Sequence, residues 1–270
     1  MGAALEGHLT PAALAQGFVG LEDLKSLLDV PVSAFLRQLP GRQTFLWPSG
    51  GARWVVKRFE GDDRGDRRFD RRAGQAGRSP GQREYDNLLA LSARGLRVPE
   101  PLAWLGQGDR SLLLMEYVPH AENLRGRLTD SPESWKLWRA SLLEMTLALH
   151  APSSEGVGAY HRDFYLQHLL ITSPQEALCL IDVGRVRLKK GVRQRWFEKD
   201  LAALAHSAPT ALGELARLAW LRRYLKRLLG PLDRAGTRKR LFAWAKAIQN
   251  RRRRMEKHQP RHGEATTQED

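Results

Sequence analysis

The chain has 270 residues, 42% of them apolar, which suits one large domain or two small lobes sharing a cleft and excludes wholesale disorder. A single cysteine excludes an internal disulfide framework, no apolar run approaches the length of a membrane helix, and no signal-peptide layout opens the chain, so a cytoplasmic start is expected. The net charge of +14 is unevenly placed: residues 217–261 carry sixteen Lys or Arg against two acids, so the rest of the chain sums to zero. A block of that kind wants an anionic partner such as lipid head groups or nucleic acid.

Taken in chain order, residues 1–40 read as short helices punctuated by Pro11, Gly17, Gly20, Pro31 and Pro40. Residues 43–47 and 52–59 read as strands joined by the hairpin turn Pro48-Ser49-Gly50-Gly51. Residues 60–81 are dense in Gly, Arg and Asp with almost nothing apolar, which predicts a mobile surface loop. Residues 82–94 read as a helix with Tyr85, Leu88, Leu89 and Ser92 on one face and Gly95 as its stop. Residues 102–105 and 111–118 are two more strand runs, and 134–150 is an amphipathic helix in which Trp135, Trp138, Leu142, Met145 and Leu149 step by three and four. Short apolar runs at 169–171 and 178–181 flank a turn at Ser173-Pro174; Cys179, inside the second, reads as a small buried hydrophobe. From Phe197 onward the pattern is helical. A sheet-rich first half therefore precedes a helix-rich second half, an α+β arrangement, and no internal repeat is present.

The chemistry gathers in His161-Arg162-Asp163-Phe164-Tyr165-Leu166-Gln167-His168 and, 19 residues after Asp163, Asp182-Val183-Gly184. Two carboxylates at the mouths of short apolar strands suit one accepting a proton from a hydroxyl nucleophile and the other binding a divalent metal on a nucleotide. Either half alone is a common turn sequence; their order and spacing make the pair specific. Upstream, Trp54-Val55-Val56-Lys57 is a strand ending in a lysine, and Glu84 of the next helix is placed to pair with it, with Glu60 or Asp86 as alternatives. Leu113-Leu114-Met115-Glu116-Tyr117-Val118 ends a strand before Pro119.

This set resembles the protein-kinase-like superfamily and, more narrowly, the lipopolysaccharide core kinases that phosphorylate heptose or Kdo. The narrowing residues are His161 to Leu170 with His168 five after the aspartate, where protein kinases have asparagine, the run Leu180-Ile181-Asp182-Val183-Gly184-Arg185-Val186, and Lys199-Asp200-Leu201-Ala202-Ala203-Leu204. The resemblance covers roughly residues 41–208. It implies a two-lobed protein-kinase-like fold, with a sheet-rich lobe over 41–118 and a helical lobe over 119–215; the ends lie outside it and read from their own residues as a helical extension over 1–40 and a basic helical tail over 216–270. It implies ATP and Mg²⁺ as cofactors, Asp163 as catalytic base, Asp182 as metal ligand, and Lys57 on the α- and β-phosphates with Glu84 behind it. Met115 would back the adenine, and the Glu116 carbonyl and Val118 amide would bond its edge. His168 is a poor Mg²⁺ ligand and is expected to hydrogen-bond Asp163 or the phosphates, or to serve structure alone. Asp200 is expected to bond the backbone of the catalytic loop.

Two departures bear on substrate. No Gly-x-Gly-x-x-Gly precedes the lysine; only Gly41 and the Ser49-Gly50-Gly51 turn are available. Only 15 residues separate Gly184 from Asp200, which leaves no room for an activation segment and its peptide-docking shelf, so a lipid-linked sugar fits better than a protein acceptor. The tail reads two ways: Leu218, Leu221, Leu225 and Leu228 share a face, and Phe242, Trp244 and Ile248 mark a second helix before Arg251. It either lies on an anionic membrane at the cytoplasmic face of the inner membrane, gaining about 1 kcal/mol per basic residue, or packs on the large lobe. A kinase for another small molecule or a protein, and a non-catalytic membrane- or nucleic-acid-binding protein on a kinase scaffold, are the rival readings. The intact Lys57, Asp163 and Asp182 speak against the last, so nucleic acid is not the expected partner.

Overall fold

The computed structural model describes residues 4–258 apart from positions 16, 19, 50, 51, 63, 73, 74, 173–176 and 232. Gly50, Gly51, the Ser173-Pro174 turn and Arg261 thus lie outside the described residues.

The first lobe is a six-stranded antiparallel sheet. In chain order it comprises β1 (Leu5–Leu9), α1 (Pro11–Ala15), α2 (Leu21–Asp29), β2 (Arg37–Leu39), β3 (Arg42–Ser49), β4 (Ala52–Glu60), α3 (Arg64–Arg72), α4 (Pro80–Ser92), β5 (Pro101–Gln107) and β6 (Arg110–Glu116), with strand order β1-β5-β6-β4-β3-β2. Alternation divides β4 and β6 between two cores. Trp54, Val56, Leu112 and Leu114 meet Leu24, Leu27 and Leu28 of α2, while Val55, Phe59, Leu113 and Met115 face Tyr85, Leu88 and Leu91 of α4. Both faces are covered, which is why these strands read as continuous apolar runs. Lys57 shares the parity of Val55 and Phe59 and therefore points toward α4. That helix starts where Ser79 Oγ accepts the Gln82 amide at 3.2 Å and Pro80 stands in the first turn.

Two expectations are corrected here. Leu5–Leu9, in a stretch read as helical, is a strand: Leu5, Gly7 and Leu9 face inward and pair with β5. Five residues are too few to show a helical period, and the open edge of β5 decides their conformation. Gly7 is required there, because a Cβ would stand 2.6 Å from the Trp104 carbonyl oxygen. The expected loop over 60–81 contains α3, a helix whose sequence carries Phe69 as its one large apolar residue. Such a helix gains little from burial of apolar area; ion pairs to its neighbours hold it.

The second lobe contains β7 (His120–Asn123), α5 (Leu124–Asp130), α6 (Trp135–His150), β8 (Val157–Tyr160), β9 (Leu169–Thr172), β10 (Leu178–Leu180), β11 (Arg187–Lys190), α7 (Gln194–Ser207), α8 (Glu214–Leu229) and α9 (Arg234–His258). β10, β9 and β7 form one small sheet, β11 and β8 another. α6 buries Trp135, Trp138, Leu142, Met145 and Leu149, the residues its periodicity singled out. Cys179 is buried in β10 and burial pushes its thiol up to about 12, which suits packing and not reactivity. The basic tail packs on this lobe. α8 buries Trp220, Leu221, Tyr224 and Leu225, a face rotated from the expected one because the aromatic residues fill more volume than Leu218 and Leu228. In α9, Trp244 is 2% exposed while Phe242 is 58% exposed, so the expected apolar trio is split.

Candidate active site

The candidate catalytic loop, residues 161–168, follows β8. Its backbone is fixed by Asp200 of α7, whose carboxylate accepts the His161 amide at 2.6 Å and the Arg162 amide at 2.7 Å. Asp200 is itself bonded by His150 Nε2 at 3.2 Å, and His150 Nδ1 meets the Tyr224 hydroxyl at 2.7 Å. Arg162 has φ +76°, a left-handed backbone that costs a non-glycine residue about 1–3 kcal/mol and that surrounding bonds must enforce. The imidazole of His161 is fully buried and held neutral by that burial, its Nδ1 receiving the Asp163 amide at 3.3 Å. Asp163 is thereby presented toward the cleft, where its Oδ2 accepts from Arg185 Nη1 at 2.7 Å.

The second carboxylate follows β10. Asp182 is also left-handed (φ +58°). Lys57 and Glu84 form the expected ion pair, with side chains 6% and 3% exposed, and Lys57 Nζ lies 3.9 Å from Asp182 Oδ1. Gly184 allows this approach, since a Cβ there would stand 3.2 Å from Glu84 Oε2. Arg42 Nη2 reaches Asp182 Oδ1 at 2.8 Å and Arg37 Nη1 reaches Oδ2 at 3.5 Å. Burial of Asp182 opposes ionisation, but Lys57, Arg42 and His168 outweigh it and hold the carboxyl well below the usual carboxylate range. His168 donates from Nδ1 to the Asp163 carbonyl oxygen at 2.9 Å, and its Nε2 lies 3.8 Å from Asp182 Oδ2. Its bond to Asp163 is therefore to the main chain. Met115 is a buried residue of β6, and residues 116–118 form the crossing between the lobes, with the Val118 carbonyl accepting from His120 Nδ1 at 2.8 Å.

Sequence reasoning missed Arg37, Arg42 and Arg185. Arg42 follows Gly41, whose φ of +70° forms the tight β2–β3 turn, and that glycine was the available signal. No group of three His, Cys, Asp or Glu side chains converges on a metal position among the described residues. One hard carboxylate, Asp182, nevertheless suits Mg²⁺, which keeps several waters and takes its remaining ligands from phosphate oxygens.

Sheet lobe, helical lobe, buried lysine–glutamate pair and two carboxylate loops at their junction together define a phosphotransferase of protein-kinase-like fold. Solved structures agree on that fold. "WaaP in complex with acyl carrier protein" superposes with a TM-score of 0.66 at 22% identity, covering 93% of this chain and 98% of that one. "Crystal structure of aminoglycoside-3'-phosphotransferase of type VIII" superposes with a TM-score of 0.51 at 16% identity, covering 84% and 97%. The lipopolysaccharide kinase (Kdo/WaaP) family model matches residues 69–229, and the chain belongs to that family: it is a kinase. It is also 26% identical over 225 residues to "Lipopolysaccharide core heptose(I) kinase WaaP" of Pseudomonas aeruginosa, covering 77% of this chain and 82% of that protein.

Proposed function

We propose that this kinase transfers the γ-phosphoryl group of ATP to a hydroxyl of a lipopolysaccharide inner-core sugar, heptose or Kdo, borne on lipid at the cytoplasmic face of the inner membrane. The observation that carries the reading is the convergence of Lys57, Glu84 and Asp182 beside the loop that presents Asp163. Support for a sugar acceptor comes from the family and from the relative named as a core heptose(I) kinase.

In this reading Lys57, held by Glu84, neutralises the α- and β-phosphates, and Met115, the Glu116 carbonyl and the Val118 amide receive the adenine. Asp182 would hold Mg²⁺, which when bound offsets charge on the transferring phosphate. Arg42 takes the part of the missing Gly-rich loop, turning from Asp182 to the phosphates when nucleotide enters. Asp163 accepts the proton of the acceptor hydroxyl through Oδ1 while Arg185 orients its carboxylate through Oδ2. His168 secures the loop by its bond to the Asp163 carbonyl. Positioning and charge stabilisation supply most of what phosphoryl transfer needs, so these few groups suffice.

Mass spectrometry of core oligosaccharide from cells with the gene, without it, and with Asp163→Asn tests the assignment. One phosphate is expected to disappear in both altered strains. An unchanged core in the deletion strain would remove the sugar assignment.

The tail and its cleft suggest a partner. An apolar cleft of about 380 Å³ lies among α7, α8 and α9, lined by Leu204, Leu212, Leu218 and Ile248 with Arg217 and Lys246 at its edge. The solved WaaP relative was captured with an acyl carrier protein, and a cleft of this kind fits the acyl chain of such a carrier. Retention of acylated carrier over its unacylated form on immobilised kinase tests this; equal retention would sink it.

A further inference from the structure

A kinase with only 15 residues between Gly184 and Asp200 has no activation segment to hold its catalytic loop. In kinases that have one, phosphorylation supplies an anion that pairs with arginine and orders the site. The structure contains an anion in a matching position. Asp66 of α3 accepts from Arg162 Nη1 at 2.6 Å and lies 3.5 Å from Arg187 Nη2 and 3.7 Å from Arg185 Nε. Arg162 is the residue before Asp163 and Arg185 bonds its carboxylate. One carboxylate therefore bonds the arginine that precedes Asp163 in the chain and lies beside the arginine that bonds its side chain.

The same helix reaches the nucleotide side. Asp70, one turn after Asp66 and on the same face, pairs with Arg187 Nε at 3.0 Å and with Arg83 Nε at 2.5 Å, and Asp62 pairs with Arg83 Nη2 at 2.5 Å. Arg83 precedes Glu84 on α4. Arg83, Arg162 and Arg187 are all buried, so this is a desolvated network and not a set of surface pairs. It has no chemical part in the proposed reaction, yet it runs from the lysine-holding helix to the aspartate loop.

We infer that Asp66 is a positioning residue: through Arg162 and Arg185 it holds Asp163 in register with the nucleotide, a built-in carboxylate in the place of an activation-segment phosphate. The inference rests on the assignment of Asp163 as base. The kinase is on this account permanently ordered, its loop set by α3 and not by a modifying enzyme.

The test compares purified Asp66→Asn, Asp66→Glu, Asp66→Ala, Asp70→Asn and Asp163→Asn, with kcat, KM for ATP and thermal unfolding measured for each. Asp66→Asn is expected to lower kcat by roughly 10²-fold, the cost of a misplacement of about 1 Å, with KM for ATP within about twofold. Asp66→Glu should restore most of it. Formate, a carboxylate small enough for the space vacated in Asp66→Ala, should raise its kcat where chloride at equal ionic strength does not. Asp70→Asn, which disturbs the network without touching Arg162, should lower thermal stability more than kcat. Full kcat in Asp66→Asn while Asp163→Asn is inactive would overturn the inference and leave the base assignment standing. Full activity in Asp163→Asn would remove the assignment beneath it. Parallel losses of kcat and stability in Asp66→Asn and Asp70→Asn, without formate rescue, would make α3 merely structural and likewise overturn it.

Discussion

Asp182 and Asp163 are both carboxylates in left-handed or loop backbone, but their surroundings separate their tasks. Asp182 lies beside Lys57, Arg42, Arg37 and His168, so removing its charge leaves the buried Lys57 and half-buried Arg42 with one counter-charge fewer. Asp182→Asn should lose Mg-ATP binding and turnover together. Asp163→Asn keeps shape and removes the proposed proton acceptor, so turnover should fall by about 10²–10⁴-fold with nucleotide binding retained; isothermal titration with Mg-ATP separates the two. Arg42→Gln should raise KM for ATP more than it lowers kcat, and an unchanged KM would discard its part as phosphate cation. The acid limb of stability has a residue-scale origin as well. Burial opposes ionisation of Asp66, but Arg162, Arg185 and Arg187 outweigh it and hold its carboxyl below the usual carboxylate range. Its folded pKa is lowered, so its contribution is complete above the unfolded value and is lost as pH falls below about 4. Asp66→Asn should therefore show a flatter loss of unfolding free energy from about pH 5 to pH 3 in denaturant titrations, and an unaltered slope would contradict this.

At the scale of elements, the loop carrying Asp163 is held from behind by a relay that crosses three helices. Tyr224 of α8 bonds His150 at the end of α6, His150 bonds Asp200 of α7, and Asp200 bonds two loop amides. α8 belongs to the basic segment, yet by this relay it supports the active site. Tyr224→Phe leaves His150 Nδ1 buried without its partner, at a cost of about 1–3 kcal/mol, read as a lowered midpoint of thermal unfolding. A midpoint within error of the parent would show that water or repacking supplies the bond. α3 makes the complementary point: a segment with almost nothing apolar is ordered because Asp62, Asp66 and Asp70 find Arg83, Arg162 and Arg187.

At the scale of the molecule, the proposed nucleotide site lies at the junction of the lobes, so Mg-ATP at 100 times its dissociation constant should stabilise the chain by about 2.7 kcal/mol. No shift at millimolar nucleotide would count against the site. No helix among the described residues is long and apolar enough to cross a membrane; the proposed attraction of the basic tail to anionic lipid is a separate matter of surface charge. Arg251 pairs with Glu198 and Arg252 with Glu256, whereas Arg253 and Arg254 are exposed. Arg253→Gln with Arg254→Gln should weaken sedimentation with anionic vesicles, and added salt should do the same by screening. Binding that neither change alters would reduce the tail to packing.

The Lys57–Glu84 pair, the strand run ending at Val118 and the placing of both carboxylates were legible in the chain because each has a local signature: a strand parity, a helical period, or a turn beside a short apolar run; the two-lobed fold was legible through the family resemblance. The bond from Asp200 to the catalytic loop was legible through the family resemblance. Tertiary structure alone decided the strand Leu5–Leu9, the helix α3, the rotation of α8 and the arginines around the site. These depend on partners distant in sequence, with Arg162 meeting Asp66 across 96 positions and Arg42 meeting Asp182 across 140. A charged residue carries no periodic mark of its partner, and in sequence a buried ion pair reads the same as two solvated charges. Burial by the assembled lobes is what separates them, because only there does leaving a charge unpaired become costly.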